Sequence, residues 1–344
     1  MKKWLIILSR IEIALLFLVI IAGSVVRMTD SGMGCPDWPK CFGHLIPPTE
    51  RAQLDWQPNT EFHKNQIIIV NEALYTAVDA FTTGEVYNAE NWAKYTKHDY
   101  AIFNPMHTWI EYINRLLGAL AGLPMLALFF ISLSFVRKDW RYFALAAAGL
   151  FMLGFEAWLG KLVVDGNLIP GSITIHMLGA LILVAIMLVF NGLASKEVIK
   201  PVLHSKRFLS LMLIALVFTL LQITLGTQVR ELVDGLHQSG VERSEWMGQM
   251  DIFFYIHRSF SILILALNIY LWWTNRKDNM GYWQWNWVMT LLGLEVLLGI
   301  ILAYFDLPKF AQPLHLLLAA VIFAFQLQAI IHLALKGQLS PLKS

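Results

Sequence analysis

The chain has 344 residues, of which 57% are hydrophobic and only 15% are charged, and its formal net charge at pH 7 is +2. This composition lies far from that of an ordinary soluble domain and indicates an integral membrane protein. The small net charge argues against nucleic acid as a partner.

Eight apolar runs are long enough to cross a bilayer as helices, which takes about 20 residues each. The first run contains few charges after Arg10 and Glu12, and no small-residue cleavage site follows it. It is therefore predicted to be a retained helix and not a removed signal peptide. The runs lie at about 11–27, 108–135, 142–164, 172–194, 208–229, 252–274, 284–304 and 313–335.

Lysine and arginine residues are concentrated in alternate connections between these runs. The positive-inside rule assigns those connections, and both termini, to the cytoplasmic side. The opposite, outer side then receives the short loops at 165–171 and 305–312 and the long connection at about 28–106. Within that connection, a short amphipathic helix over IIIVNEALYTAVDAF at 67–81 is expected, with a disordered loop as the alternative. The basic residues are Lys2, Lys3, Arg10, Arg137, Lys138, Arg141, Lys196, Lys200, Lys206, Arg207, Arg276, Lys277, Lys336 and Lys343.

The long connection contains the two cysteines of the sequence, in the stretch GCPDWPKC at 34–41. Cys35 and Cys41 enclose five residues, a spacing that a disulfide can close in an oxidising compartment. A metal site would require more ligands nearby. A structural or redox-active disulfide is favoured, and a pair of free thiols is the alternative.

The two halves of the sequence repeat each other. LGFEAWLG at 153–160 matches LGLEVLLG at 292–299, and a histidine, His176 or His315, follows the shared glutamate by 20 residues in both copies. The repeat predicts an all-α membrane protein of two tandem four-helix bundles, 1–200 and 201–344, related by a pseudo-twofold axis along the membrane normal. The repeated Glu156 and Glu295 indicate a shared structural partner more than a catalytic role.

Histidines at repeat-related positions within membrane helices indicate a functional site. His257 and His315 lie on two helices of the second half, and two facing imidazoles can hold a haem iron from both sides. Arginines at the same membrane level can pair with haem propionates, and snorkelling to the interface is the alternative for them. These arginines are Arg27, Arg115, Arg230 and Arg258.

The first half differs at one position of this pattern. Asn114 replaces the histidine of the repeat, so its site contains Asn114 and His176, and an amide is a poor ligand for haem iron. Glu111 stands where the second half has Phe254, one helical turn from Asn114. The second half is therefore expected to carry electrons and the first half to perform chemistry. Packing between helices is the alternative role for Asn114.

The run VVRMTDSGMGCPDWPKCFG at 25–43, the Glu-x-x-x-Arg element at 111–115, the His-Arg pair at 257–258 and the repeated halves resemble the haem A synthase family. These membrane enzymes oxidise a methyl group of haem O to the formyl group of haem A. The resemblance covers all eight predicted helices and leaves out most of the segment from about 45 to 105.

The resemblance implies haem b at His257 and His315, haem O as substrate at His176, and Glu111 as the catalytic carboxylate. It also implies two successive hydroxylations of the methyl carbon, loss of water from the resulting diol, and a Cys35–Cys41 disulfide. The implied location is the bacterial cytoplasmic membrane. The candidate histidines and arginines fall near the outer ends of their predicted helices, so the haem sites are expected toward the outer side. The implied partners are haem O synthase and the terminal oxidase assembly pathway.

Similar proteins generally carry histidine at the position of Asn114, so the ligand opposite His176 is open. His107 lies seven residues earlier, close to the same helix face, but about 10 Å away along the axis. It is kept as an alternative iron ligand beside the interpretation as a histidine that packs against the loop.

Two other classes use the same intramembrane residues. A di-haem b-type cytochrome would pass electrons from a quinol to a partner. A repeat-built transporter would use the intramembrane His, Arg and Glu side chains to couple transport to proton movement. The electron partner, the source of the inserted oxygen and the oligomeric state are left open by the sequence.

Overall fold

The computed structural model describes residues 1–96, 102–165 and 171–339. Within these ranges eight helices are long and apolar enough to cross a membrane, which confirms the predicted all-α membrane class. His98 and most of the loop at 165–171 lie outside the described residues. The helices are α1 Lys2–Met28, α2 Pro105–Leu133, α3 Trp140–Asp165, α4 Ser172–Ala194, α5 Lys206–Gln238, α6 Ile252–Lys277, α7 Gln284–Tyr304 and α8 Ala311–Lys336.

Side-chain caps fix where α5 and α6 begin. The hydroxyl of Ser205 accepts a hydrogen bond from the N–H of Phe208 at 3.1 Å, and the carboxylate of Asp251 accepts one from the N–H of Phe253 at 3.0 Å. Such caps satisfy N–H groups that have no partner inside the helix. At its other end α5 continues beyond the apolar run at 208–229, to Gln238.

The chain forms two compact units. The larger unit contains Met1–Ile21, Gly118–Glu156 and the chain from Ile173 onward, and the smaller unit contains Ala22–Leu117 and Ala157–Ser172. The division of the chain into repeat halves, 1–200 and 201–344, and the pseudo-twofold axis between them stay predictions.

In the larger unit, α5 packs against α6 and α8, and α7 packs against α6 and α8. Buried side chains between these helices include Met212, Leu271, Trp285 and Val288. Lipid tails are as apolar as these side chains, so close packing stabilises the bundle more than removal from water does. A parallel pair of strands, β6 (Val202–His204) and β7 (Gly337–Leu339), joins the segment before α5 to the chain after α8.

The smaller unit contains short strands between α1 and α2. Strand β1 (Glu61–Phe62) pairs with β4 (Phe81–Thr82), and β3 (Ala73–Ala77) pairs with both β2 (Ile67–Val70) and β5 (Trp92–Lys94). All of these pairings are antiparallel. The segment therefore has its own small β structure.

The amphipathic helix expected at 67–81 is wrong, because this stretch forms the hairpin β2–β3. The run Ile67–Val70 is β-branched throughout, which favours a strand. Asn71 and Glu72 form the turn, with φ values of 50° and 59°. Positive φ at both central residues is typical of a two-residue hairpin turn. The turn at Asn71 and Glu72 therefore favours a hairpin, although the apolar residues are spaced as in an amphipathic helix.

Candidate functional site

The two cysteines form a disulfide, which confirms that prediction. Cys35 and Cys41 are joined and are both fully buried. Two backbone hydrogen bonds between Cys41 and His44, at 2.9 and 3.0 Å, form a tight turn directly after the disulfide. Residues 34–44 are called the disulfide loop below.

The guanidinium of Arg115, on α2, binds the backbone of the disulfide loop. Its Nη1 donates to the carbonyl oxygens of Asp37 at 2.7 Å and Lys40 at 3.0 Å, and its Nη2 donates to the carbonyl oxygen of Cys35 at 3.4 Å. An arginine suits this task because it presents several N–H donors in a rigid plane. One side chain thus satisfies three carbonyl groups of the loop.

Glu111 completes this arrangement one turn earlier on α2. Only 3% of Glu111 is exposed. Its Oε2 accepts a hydrogen bond from the N–H of Cys35 at 2.8 Å, and its Oε1 pairs with Arg115. Thr108, a further turn back, donates its hydroxyl to the carbonyl oxygen of Gly34 at 2.8 Å. Residues 108, 111 and 115 therefore form one face of α2 that is bonded to the loop.

Two ionisable groups of the disulfide loop are affected by burial. Burial raises the pKa of the Asp37 carboxyl, although hydrogen bonds from the N–H groups of Gly43 and Phe42 and the charge of Arg115 oppose the shift. Burial also lowers the pKa of His44. Both changes follow from the cost of holding a charge away from water.

Asn114 and His107 lie on α2 on either side of Glu111. The Oδ1 atom of Asn114 and the Nδ1 atom of His107 are buried, and neither has a hydrogen-bond partner among the residues that the structure describes. Buried polar atoms are usually paired. Each of these two atoms is therefore available to a bound molecule or to water, and the assignment of His107 as an iron ligand stays a prediction.

In the larger unit, the predicted pair His257 and His315 is brought together. The centroids of the two imidazole rings are 6.2 Å apart, and the ring planes make an angle of 71°. Two imidazole nitrogens that each bind one metal at about 2 Å place the ring centroids roughly 6 Å apart. The spacing of the two rings thus fits a metal held from both sides, as in a six-coordinate haem.

The repeated glutamates contact the repeated histidines. The Oε2 of Glu156 lies 2.7 Å from the Nδ1 of His176, and the Oε1 of Glu295 lies 3.2 Å from the Nδ1 of His315. The sequence indicated a shared structural partner for the two glutamates without saying which residue it is. The structure shows the same histidine contact in both copies.

The remaining predicted arginines have different surroundings. Arg27 lies in the last turn of α1. Arg230 donates to the Oε1 of Gln312 at 2.6 Å and pairs with Asp234. The guanidinium of Arg258 lies 5.8 and 5.6 Å from the ring centroids of Phe254 and Tyr255. Pairing of these arginines with propionates stays a prediction.

One polar cluster, between α4 and α5, was not predicted from the sequence. Thr174 donates to the hydroxyl of Thr227 at 2.8 Å and lies 3.3 Å from Glu231, and Gln228 donates to Thr174 at 3.2 Å. Thr174 is two residues from His176. The cluster has no counterpart in the sequence repeat, so the comparison of the halves did not reveal it.

Comparison with known proteins gives a consistent result. The family described as COX15-CtaA, cytochrome oxidase assembly protein, matches residues 3–327. A heme A synthase of Flavobacterium psychrophilum is 24% identical over 90% of this chain and 92% of its own length. One of Flavobacterium johnsoniae is 23% identical over 89% of this chain and 90% of its own length.

A heme A synthase of Shewanella oneidensis is 26% identical over a shorter stretch, which covers 53% of this chain and 43% of that protein. The family match extends over nearly the whole chain and includes the disulfide loop, the Glu111–Arg115 face of α2, and His176, His257 and His315. The chain therefore belongs to the COX15-CtaA family of cytochrome oxidase assembly proteins.

Proposed function

We propose that this chain is a haem A synthase, an oxidoreductase that converts a methyl group of haem O to the formyl group of haem A. The methyl carbon would be hydroxylated twice, each step being a two-electron oxidation by an oxidant from outside the chain, and the resulting diol would lose water to give the aldehyde. The observation that carries the proposal is the facing pair His257 and His315, with a ring spacing of 6.2 Å, in a chain of this family. Curated relatives that match about nine tenths of the chain carry the name heme A synthase.

His257 and His315 are proposed to hold haem b through their ring nitrogens. A haem held by these two histidines would supply one-electron transfer. The backbone of His257 is fixed by Gln222, whose side-chain Nε2 donates to the His257 carbonyl oxygen at 2.9 Å. That bond holds the helix segment that carries the ligand.

Two roles come from the resemblance to the family and are proposed here as such. His176 is a ligand for the substrate haem, and Glu111 is the catalytic carboxylate. The burial of Glu111 and its bond to the N–H of Cys35 support a carboxylate that is held in a fixed position. A carboxylate held in this way can take up or release a proton in the reaction.

Asn114 is proposed to leave one side of the substrate iron without a strong protein ligand. Its buried Oδ1 has no partner in the described part of the chain, so it can accept a hydrogen bond from a bound molecule or from water. A weaker ligand set suits a haem that enters, reacts and leaves.

The chain is a multi-pass membrane protein. We propose that it lies in the bacterial cytoplasmic membrane with both termini in the cytoplasm and the haem sites toward the outer side. The distribution of lysine and arginine supports this orientation, and so does the disulfide, which is stable in an oxidising compartment. Haem O synthase is the proposed supplier of substrate, the terminal oxidase assembly pathway is the proposed recipient, and the electron partner is unidentified.

Purification of the chain from cells with and without a co-expressed haem O synthase tests the proposal. The expected result is haem b in both preparations, and haem O or its oxidised products only when the synthase is present. Haem b alone in both preparations would favour a di-haem cytochrome. A folded protein without haem would favour a proton-coupled transporter.

A further inference from the structure

We propose that Glu156 and Glu295 are positioning residues that orient the imidazole rings of His176 and His315. This inference rests on the proposed function, in which both histidines bind haem iron. Each glutamate contacts the Nδ1 atom of its histidine, so that the other ring nitrogen, Nε2, is left for the iron.

The geometry is the same in both copies. The contact distances are 2.7 Å for Glu156 with His176 and 3.2 Å for Glu295 with His315, and the atom on the ring is Nδ1 in each case. A neutral imidazole that binds a metal through Nε2 carries its proton on Nδ1. A carboxylate this close to Nδ1 can accept that proton in a hydrogen bond, which would fix both the tautomer and the rotation of the ring.

The position of the glutamates in the membrane supports a dedicated role. The side chains of Glu156 and Glu295 are only 8% and 15% exposed. A carboxylate inside a membrane helix is costly unless it has a partner. The contact with histidine occurs on neighbouring helices of each half, α3 with α4 and α7 with α8, 20 residues along the chain from the glutamate. A purely local packing role would not require the same partner twice.

Gly179 shows that the first of these pairs depends on close approach. A Cβ atom at Gly179 would lie 1.9 Å from the Oε1 of Glu156. Gly179 is on α4, one turn after His176, so any side chain there would push the carboxylate away from its place. At the matching position of the second copy the chain has Leu318, three residues after His315. The residue at this position of the helix therefore differs between the two copies.

The first experiment compares Glu295→Gln and Glu295→Ala in the full chain, purified with its haem b. The readouts are the amount of haem retained, the electron paramagnetic resonance spectrum of the low-spin iron, and the midpoint potential. Loss of a carboxylate that hydrogen-bonds a metal-binding histidine typically weakens metal binding about 10–100-fold. We therefore expect Glu295→Ala to retain less haem b and to broaden the resonance.

Glu295→Gln is expected to keep the haem, because an amide oxygen still accepts from Nδ1–H, and to raise the midpoint potential, because an amide donates less electron density to the ligand. Glu12→Gln, at a buried glutamate of α1, is the matched control and is expected to leave the spectrum and the potential unchanged. Unchanged resonance and potential in both Glu295 variants would overturn the inference. Absence of haem from the unsubstituted protein would instead refute the proposed function.

The second experiment tests the first pair without touching either partner. In Gly179→Ala the new methyl group meets the end of a flexible side chain, so the helix keeps its place and the Glu156 carboxylate moves. We expect this variant to retain haem O as weakly as Glu156→Ala does, measured by extraction from protein co-expressed with a haem O synthase. Gly154→Ala on α3 is the control, because a Cβ atom there meets nothing within 4 Å. Full retention of haem O in both Gly179→Ala and Glu156→Ala would overturn the assignment of Glu156.

Discussion

The carboxylate of Glu111 accepts a hydrogen bond from the backbone N–H of Cys35 at 2.8 Å, so a residue of a membrane-spanning helix is bonded directly to the disulfide loop. Arg115 binds the other oxygen of Glu111 and three carbonyl groups of the same loop. The proposed catalytic carboxylate is therefore also a structural residue. Its substitution is expected to affect both the reaction and the attachment of the loop.

Glu111→Gln should stop the formation of haem A while the haem b spectrum remains. The amide oxygen can still accept from Cys35, but the negative charge beside Arg115 is lost, which costs about 1–3 kcal/mol of stability for a buried partner. The measurement is the haem content of membranes that also contain a haem O synthase, together with the optical spectrum of the purified protein.

Glu85→Gln is the control for this substitution, because Glu85 is an exposed glutamate in the long segment before α2. It should leave product formation and stability unchanged. Full product formation by Glu111→Gln would remove Glu111 from the catalytic role and leave it only the structural one.

Gly34→Ala should separate the disulfide loop from the start of α2. A Cβ atom at Gly34 would lie 2.5 Å from the carbonyl oxygen of His107 and 2.8 Å from the backbone N of Thr108. Backbone atoms cannot move aside as a side chain can, so overpacking here costs about 1–3 kcal/mol. Limited proteolysis between residues 34 and 44 should become faster in this variant.

Gly84→Ala provides the matched control, since a Cβ atom at Gly84 meets nothing within 4 Å. Its rate of proteolysis should equal that of the unsubstituted protein. Equal protection of the loop in Gly34→Ala would show that the contact between Gly34 and α2 contributes nothing to its attachment.

The packing of the disulfide loop should weaken as the pH falls below about 6.5. Burial lowers the pKa of His44 from its ordinary value of 6.5, and the nearby Lys40 and His63 act in the same direction while Asp37 opposes them. A group with a lowered pKa in the folded state stabilises that state above its unfolded pKa, and this stability is lost as the pH falls through the folded value. Hydrogen exchange of residues 41–66 should therefore speed up on acidification, after correction for the intrinsic rate.

His44→Gln should make this pH dependence flatter, because glutamine does not titrate. His237→Gln, at an exposed histidine outside this segment, is the control and should keep the pH dependence of the unsubstituted protein. A profile of His44→Gln that matches the unsubstituted protein would assign the dependence to another group.

His257→Asn should remove haem b from the purified protein, because an amide is a poor ligand for iron. Asn114→Ala should retain haem b, since the ligands of that haem are proposed to be His257 and His315. The absorption spectrum of the reduced protein measures both outcomes. Loss of haem b in Asn114→Ala, with retention in His257→Asn, would show that the roles of the two halves have been exchanged.

The class of the protein and the proximity of His257 and His315 could be predicted from the sequence, because hydropathy and internal repetition follow directly from it. The repeat placed His257 and His315 in one site, and the structure brings their rings to 6.2 Å. The repeat also indicated that Glu156 and Glu295 share a type of partner. It did not identify His176 and His315 as those partners, because the repeat does not show which side chains of neighbouring helices come into contact.

The segment between α1 and α2 was harder to predict. Residues 67–81 have apolar positions that suit an amphipathic helix, yet the turn at Asn71 and Glu72 produces a hairpin. The bonds of Arg115 to three loop carbonyls were also not predictable, because such contacts depend on the path of the backbone and not on residue type. Both failures come from local backbone geometry that has no repeat partner for comparison.

The most direct test of the account is to co-express the chain with a haem O synthase in a host that makes no haem A, and to identify the extracted membrane haems by chromatography and mass. The account predicts haem A or its hydroxylated precursor, and predicts that His176→Ala and Glu111→Gln abolish both while the protein remains abundant. Haem B and unreacted haem O alone, with the unsubstituted protein folded in the membrane, would contradict it.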